Sequence, residues 1–380
     1  MLKVTLKKGR EYPLLRYHPW VFSGAVDKLS DHAEIGCPVE VYSYQGVFLA
    51  MGFWHGQSIA VKVYSFQKEQ PDEQFWNKRV TRAQNLRREL NLLENSSQIN
   101  AFRVFNAEGD GVPGLIIDLY GTTSVIQIQA AYLEAYLPEI LSALTSNYSL
   151  EAVVLRSEQR NELIWGEKIN DLICEWGIKY KVDLLTGQKT GFFLDQRENR
   201  KYLQGFAAAK KVLNTFCYSG GFTLSALKSG AAHVTSLDSS SAAIDLLSQN
   251  LKLNLCDDNH QTICADCFDF FNQSEEKYDL IVLDPPAFCK HRDAIENALR
   301  GYGSLNQQAM RKLSKGGVIF TFSCSQLIGR EDFKDVILKA AAGSGKRFKI
   351  IRELHAAACH PYALSHAEGE YLKGFILLEI

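Results

Sequence analysis

The sequence predicts an α/β protein in three parts. A small β barrel comes first, a small central α/β domain second, and a largely parallel sheet of seven strands third. Three observations lead there. Short strand-like runs broken by turns fill residues 1–66. A mixture of strands with one helical stretch fills residues 100–181. From Asp183 strand and helix alternate, the pattern of a parallel sheet covered on both faces. The boundaries fall at 1–70, 71–185 and 186–380.

In the first part, Val4–Lys7, Pro38–Tyr42, Val47–Met51 and Ile59–Tyr64 read as strands, with a turn at Gln45-Gly46. His18-Pro19-Trp20-Val21-Phe22 is rich in aromatic residues. Residues 1–20 hold five cations against one anion. Aromatic rings beside cations can stack bases and neutralise phosphate, so Lys7, Arg10, Arg16, His18 and Trp20 are candidate nucleic-acid contacts. Core packing of the barrel competes for the same aromatics. Pro71 marks a boundary, and Asp72 is placed to cap a helix running to Leu93. Trp76, Val80, Ala83, Leu86 and Leu90 share one face of it; Lys78, Arg79, Arg82, Arg87 and Arg88 are read as lying off that face, solvated or in contact with phosphate.

In the second part the strands are Phe102–Asn106, Leu115–Asp118, Ser124–Gln129 and Ala152–Leu155, the helix is Ala131–Leu144, and Ile169–Glu175 with Ile178–Val182 forms a closing hairpin. Seven cations against twelve anions over 101–190 argue against an RNA face here.

The third part has strands at Val212–Phe216, Ala232–Leu237, Gln261–Ala265, Tyr278–Leu283, Gly317–Phe322, Phe348–Arg352 and Tyr371–Leu378. Helices such as Ala242–Leu253 and Asp332–Ala342 separate most of them. No long helix fits between His355 and Gly369, which predicts a terminal hairpin with one antiparallel strand.

Ligands of open α/β sheets bind beyond the carboxyl ends of the strands, and four stretches lie there. Strand, tight turn and helix succeed one another at Val212–Phe222, where Gly220 and Gly221 allow close approach to the backbone. Asp238 closes the next strand, placed to accept hydrogen bonds from ribose hydroxyls. Phe216, Tyr218, Ser219, Gly220, Gly221, Asp238 and Ser239 are therefore candidate cofactor contacts. Asp266 follows the third strand, either as a cofactor contact or as a helix cap. Asp284-Pro285-Pro286-Ala287-Phe288 follows the fourth; the prolines hold the loop rigid, Phe288 could stack on a base and Asp284 could accept its proton or hydrogen bond. Cys324, between Ser323 and Ser325, follows the fifth and is a candidate nucleophile. Upstream, Asp195 and Glu198 form a cap pattern. Lys189, Arg197 and Arg200 are there as surface charges or as anion ligands, and Phe192 and Phe193 as walls of a pocket.

Composition narrows the setting. Hydrophobic residues make 46% of the 380, charged residues 22%, and the net charge is −1. No run of 18 apolar residues offers a membrane span, and Met1–Arg10 is basic, not a secretory leader, so a cytoplasmic protein with no membrane partner is expected. Nine scattered cysteines argue for reduced thiols. Cys264 and Cys267 form one C-x-x-C without a second pair, so no metal is expected, and the apolar run around Cys264 reads as buried.

Together these motifs resemble the class I S-adenosylmethionine-dependent methyltransferases, and more narrowly the bacterial PUA-domain 23S ribosomal RNA (cytosine-5) methyltransferases. The resemblance is carried by His18–Gly24, Glu108–Asp118, Thr190–Arg197, Phe216–Phe222, Asp284–Phe288, Arg300–Tyr302, Thr321–Ser325 and Glu370–Phe375. It implies an N-terminal PUA-like RNA-binding barrel, a central α/β domain and a Rossmann-like methyltransferase sheet. It implies S-adenosylmethionine as cofactor and ribosomal RNA, the 23S molecule, as partner, and leaves a homodimer open. By match to the family, Cys324 is the nucleophile that adds to carbon 6 of cytosine. Asp284 is the catalytic candidate that protonates or hydrogen-bonds the ring and also a candidate for the cofactor site, Arg197 is a candidate cofactor contact, and Phe288 and Lys189 are candidate substrate contacts. One departure stands out: some RNA cytosine-5 enzymes carry a second cysteine beside the proline of the fourth-strand motif, and Pro285 and Pro286 have none. Three other readings compete. An exocyclic-amine methyltransferase would use Asp-Pro-Pro-x-Phe without a cysteine. A non-catalytic RNA-binding or assembly factor would use the barrel, with a bound cofactor as a structural ligand. A dehydrogenase would need the full G-x-G-x-x-G spacing, which is lacking.

Overall fold

The structure, a computed structural model, describes residues 1–93, 98–256, 258–289 and 291–380. The chain divides into two compact units. One comprises Met1–Asp171, Asp183–Gly191 and Ala358–Gly369; the other comprises Leu172–Val182, Phe192–Ala357 and Glu370–Ile380. Among the described residues no helix is long and apolar enough to cross a membrane.

The first unit contains two sheets. β1 (Leu2–Leu6), β2 (Trp20–Phe22), β3 (Val26–Leu29), β4 (Pro38–Tyr42), β5 (Phe48–Trp54) and β6 (Ile59–Ser65) form one of six strands, in the order β2-β6-β5-β4-β1-β3, with a short helix α1 (Tyr12–Leu15) after β1. β1 and β4 run parallel, and the other neighbours antiparallel. Alternate side chains, Val4 and Leu6, Val39 and Val41, Val61 and Val63, point into one core. The aromatic run at Trp20–Phe22 is thus a strand. β3 gives no sequence signal because Asp27 and Lys28 fill half of its four positions.

Asp72 caps α2 (Glu73–Glu89), its carboxylate accepting from the Phe75 N–H at 2.9 Å. The buried face is Phe75, Trp76, Val80, Ala83 and Arg87. Arg87 was expected off this face, yet the steps 76, 80, 83, 87 put it on the inner stripe. Its guanidinium grips Asp110 at 2.6 and 2.8 Å and donates to the carbonyls of Arg103 and Cys359.

The second sheet has the order β11-β10-β9-β8-β7, built from β7 (Ala101–Asn106), β8 (Leu115–Tyr120), β9 (Thr123–Ile128), β10 (Ala152–Arg156) and β11 (Asn161–Gly166). The helix expected over 131–144 is a 3₁₀ turn, Ala131–Tyr136, followed by α3 (Leu137–Asn147). Pro138 sits in the first turn of α3, where a missing N–H costs nothing. β11 is an exposed edge strand without hydrophobic alternation, hence invisible to periodicity.

The second unit opens with the hairpin β12 (Leu172–Glu175) and β13 (Ile178–Lys181). Trp176 and Gly177 between them both have positive φ, as a tight hairpin turn requires. Then α4 (Arg197–Ala207), β14 (Lys211–Thr215), α5 (Gly221–Lys228), β15 (His233–Asp238), α6 (Ser241–Asn254), β16 (His260–Cys264), α7 (Cys267–Gln273), β17 (Tyr278–Leu283), α8 (Ile295–Lys312), β18 (Leu313–Ser323), α9 (Arg330–Ser344), β19 (Phe348–His355) and β20 (Lys373–Glu379) follow. All seven expected strands form one sheet, β16-β15-β14-β17-β18-β20-β19. It is parallel except for β20, which runs antiparallel to both neighbours.

Successive residues of the central strands feed two cores. Ile281 and Leu283 pack with Tyr302, Leu305 and Phe333 on one face. Leu280 and Val282 pack with Val212, Leu203 and Phe320 on the other. Each such side chain contributes roughly 1.5–3 kcal/mol on burial, which makes the strand ends a rigid platform. Cys264, expected in the interior, is exposed because β16 is an edge strand. Its partner Cys267 is buried on α7.

Candidate active site

The carboxyl ends of β14, β15, β17 and β18 carry the residues singled out in the second unit. After β14 the chain makes three left-handed steps in five residues: Phe216 (φ 53°), Tyr218 (φ 45°) and Gly220 (φ 88°). A non-glycine residue held there costs about 1–3 kcal/mol, and such strain clusters at functional loops. Gly220 then starts α5; a Cβ on it would lie 2.3 Å from Cδ1 of Leu247, so the loop is also packed tightly beneath.

Asp238 holds this loop from β15. One carboxylate oxygen accepts from the Tyr218 N–H at 2.9 Å, the other from the Ser240 N–H at 3.0 Å. Asp238 is half-buried and Ser239 exposed. Asp266 caps α7 by accepting from the Phe268 and Asp269 N–H groups at 2.8 and 3.2 Å, which is the helix-cap reading of this residue.

Beneath the loop lie Arg197 and Arg200, for which the sequence predicts surface charges or anion ligands. Both are buried. Arg200 clamps Glu175 at 2.9 and 2.6 Å, donates to the Phe193 carbonyl at 2.8 Å and lies over the Phe192 ring at 4.6 Å. Burial pulls the Arg200 pKa down, and the ion pair and hydrogen bonds with Glu175 together outweigh it, so the guanidinium stays above its ordinary value. Arg197 donates to Glu198 at 2.8 Å. Asp195 caps no helix; it accepts from the Tyr371 hydroxyl at 2.6 Å instead. Phe192 packs on Tyr180, and Phe193 meets Tyr218 edge-on at 5.4 Å.

The second half of the site joins the ends of β17 and β18, which are parallel neighbours. Cys324 is half-buried, with its Sγ 3.6 Å from the Pro285 carbonyl oxygen. Buried Ser325 ties the two loops together: its Oγ accepts from the Cys289 N–H at 3.1 Å and shares a 2.9 Å hydrogen bond with the Tyr302 hydroxyl. The Phe288 ring rests on Tyr302 at 4.6 Å and is partly buried, as is Asp284. Lys373, the first residue of β20, donates from Nζ to the Ser325 carbonyl at 2.8 Å. Its side chain is buried, which pushes its pKa down to about 8 against the opposing pull of Glu370 and Cys324.

Tyr302 and Lys373 were not singled out by residue type. Tyr302 lies within the Arg300–Tyr302 motif and Lys373 within Glu370–Phe375, so the collinear motifs were the available signal. The remaining candidates belong to the first unit. Lys7, Arg10 and Arg16 are exposed; Lys7 donates to the Gly24 carbonyl at 3.1 Å and Arg16 lies over the Tyr12 ring at 4.6 Å. Trp20 is half-buried, its indole N–H donating to Glu108 at 3.0 Å, and His18 accepts from the Trp20 backbone N–H at 3.1 Å. Lys189 is half-buried with φ 51°.

A family model described as S-adenosylmethionine-dependent methyltransferase matches residues 143–361, more than half of the chain. The chain belongs to the S-adenosylmethionine-dependent methyltransferases. A second model, of a PUA-like domain, matches residues 4–66, which are the six-stranded sheet of the first unit. Over its full length the methyltransferase is similar to proteins named Ribosomal RNA large subunit methyltransferase I. The one from Tolumonas auensis is 38% identical over 99% of both chains. That of Erwinia tasmaniensis is 37% identical, and that of Escherichia coli 36%, over 98% of both chains in each case. Among solved structures, one of a protein from Streptococcus mutans described as a SAM-dependent methyltransferase superposes with TM-score 0.89, and one of a methyltransferase complexed with SAH with TM-score 0.90. Both are 25% identical and cover 100% of each chain.

The residues present fit the cofactor of this family. Ser219 Oγ, within the strained loop, is buried without a hydrogen-bond partner among the described residues, and so is Asn214 Oδ1 on β14. The half-buried Asp238 carboxylate retains lone pairs for further donors, since each oxygen accepts one of the two recorded backbone bonds.

Proposed function

We propose that this methyltransferase modifies carbon 5 of a cytosine in ribosomal RNA of the large subunit, with Cys324 as a covalent nucleophile. The observation that carries the reading is the position of Cys324. Its thiol is half-buried at the end of β18 and meets the Asp284-Pro285-Pro286 loop of the adjacent parallel strand. A buried structural cysteine would have no reason to sit between two strand-end loops cross-tied by Ser325. The names of its relatives support ribosomal RNA as substrate.

S-adenosylmethionine, when bound, supplies an electrophilic methyl group. The glycine loop with Ser219, and Asp238, would hold it. The protein's own residues supply the rest. Carbon 5 of cytosine is a weak nucleophile. Cys324 thiolate adds to carbon 6, forming an S–C6 bond and pushing electron density to carbon 5 and the ring nitrogen. Asp284 hydrogen-bonds or protonates that nitrogen from its rigid turn. After transfer, carbon 5 loses its proton to a base, the C5=C6 bond reforms and the thiolate leaves. A stacked base cannot reach such a thiol, so single-stranded or loop RNA is the expected substrate, engaged through Lys7, Arg10, Arg16, His18 and Trp20 of the first unit.

The test is Cys324→Ala assayed by methyl transfer to unmodified ribosomal RNA, followed by nucleoside mass analysis. Product should be 5-methylcytidine in the native protein and absent in the variant. RNA carrying 5-fluorocytosine should trap a protein–RNA adduct in the native protein alone, because fluorine at carbon 5 cannot leave as a proton does. Full activity in Cys324→Ala would refute the covalent reading and favour exocyclic-amine chemistry through Asp284.

A further inference from the structure

We propose that Lys373 is a positioning residue whose buried ammonium, anchored on the Ser325 carbonyl, keeps Cys324 as a thiolate. This rests on reading Cys324 as the nucleophile. Sequence places the two residues far apart; the sheet brings them together. Lys373 pairs with Ser323, the last residue of β18, across the antiparallel β18–β20 ladder, which sets it next to Cys324 in register. The side chain is 1% exposed and its Nζ is fixed at 2.8 Å from Ser325 O, one residue beyond the thiol. A lysine buried to this degree has to be paired or serve a purpose, because its charge loses hydration. Burial disfavours its charge, Glu370 and Cys324 favour it, and Arg330 opposes it.

Several charged groups near it engage one another. Arg330 and Glu370 bond each other at 2.6 Å, and His355, opposite Lys373 on β19, lies 3.4 Å from Glu370. Tyr302 and the Cys289 backbone are spent on Ser325 Oγ. The ammonium anchored on the carbonyl one residue beyond Cys324 is that of Lys373. A cation next to a cysteine lowers the thiol pKa and raises the thiolate fraction at neutral pH. In this step the thiol gives its proton to water and Lys373 keeps its own, so no bond to Lys373 forms or breaks.

The experiment measures the rate of Cys324 alkylation by iodoacetamide against pH, resolved by site with peptide mass spectrometry. It compares the native protein with Lys373→Met, Lys373→Gln and Lys373→Arg. A neighbouring opposite charge moves a pKa by about a unit or more, so both neutral variants should alkylate Cys324 about tenfold more slowly at pH 7, with the midpoint shifted up. Lys373→Arg should keep most of the native rate. Exposed Cys264 should react equally in all four proteins, and buried Cys217 and Cys267 should stay protected, which reports that each variant is folded. Unchanged Cys324 reactivity in folded Lys373→Met and Lys373→Gln would overturn the proposal. A shifted Cys324 midpoint in an enzyme whose Cys324→Ala variant still methylates would uphold the charge pairing and refute the nucleophile reading instead, so the two failures are distinct.

Discussion

Gly220→Ala isolates the demand that the cofactor loop makes on one backbone position. Gly220 has φ 88°, and an alanine Cβ there would fall 2.3 Å from Leu247 Cδ1, whose side chain is fully buried on α6. Two costs follow. A non-glycine residue in the left-handed region costs about 1–2 kcal/mol. Overpacking against a buried leucine costs about 1–3 kcal/mol more. The single variant should therefore lose about 2–5 kcal/mol in urea unfolding, with weakened cofactor binding by calorimetry. Leu247→Ala alone should lose about 2–5 kcal/mol through its cavity. In the double variant the methyl group fills space that the leucine vacated, so only the backbone term of Gly220→Ala survives. The cycle should then show a coupling of about 1–3 kcal/mol in the favourable direction. Additivity within about 0.5 kcal/mol would mean that Gly220 and Leu247 do not share this space, and would refute the argument.

Arg200→Met should destabilise the protein by about 3–5 kcal/mol in the same assay, since it leaves the Glu175 carboxylate buried without its partner; a loss below 1 kcal/mol would show the pair to be dispensable. Leu255 ends α6 in the left-handed region with φ 53° and its side chain in solvent, so Leu255→Gly should raise stability by about 1 kcal/mol, read as a higher urea midpoint. Lys373 has its folded-state pKa lowered from 10.5 to about 8, so between those values the unfolded chain binds more protons than the folded one and stability rises with pH. Melting temperatures of the native protein and Lys373→Met compared from pH 7.5 to 10.5 should differ in slope over that window, converging in slope below it; parallel curves throughout would contradict the burial of the charge.

Periodicity carried the fold because the central strands and the longer helices obey it. All seven strands of the large sheet are marked by apolar runs, and the absence of a long helix before the last of them gave its antiparallel direction. What periodicity missed was decided by partners. Arg87 has the sequence pattern of a surface cation, but Asp110, at the end of a 3₁₀ turn of the same unit, lies opposite it. Arg197 and Arg200 looked the same, and no helical count could have revealed Glu175 on a hairpin strand. Cys264 looked buried because its run is apolar, but an edge strand has solvent on one side. The site was legible where a motif is contiguous, as in the glycine loop, the Asp-Pro-Pro turn and Ser-Cys-Ser. It was illegible where it is assembled across the sheet: Tyr302 and Lys373 acquire meaning only through Ser325.

Sheet order also explains why the candidate chemistry is divided among three strand ends. β17 lies between β14 and β18, so the turn bearing Asp284 stands between the glycine loop and Cys324. Adjacent strands lie about 4.8 Å apart, so the strand ends carrying the glycine loop and the thiol are roughly 10 Å apart across the sheet. A nucleophile on β17 itself would crowd the cofactor seat, and one beyond β18 would fall on the antiparallel β20, whose carboxyl end points the other way. β18 is the strand on this side of β17 that both runs parallel to β14 and leaves room for a base. Lys373 enters at the amino end of β20, the end that meets the carboxyl end of β18, so the antiparallel strand contributes a charge to the thiol without contributing a loop to the cleft. The reversal of β20 is therefore what allows a lysine near the C-terminus to reach a strand end reserved for ligands in an otherwise parallel sheet.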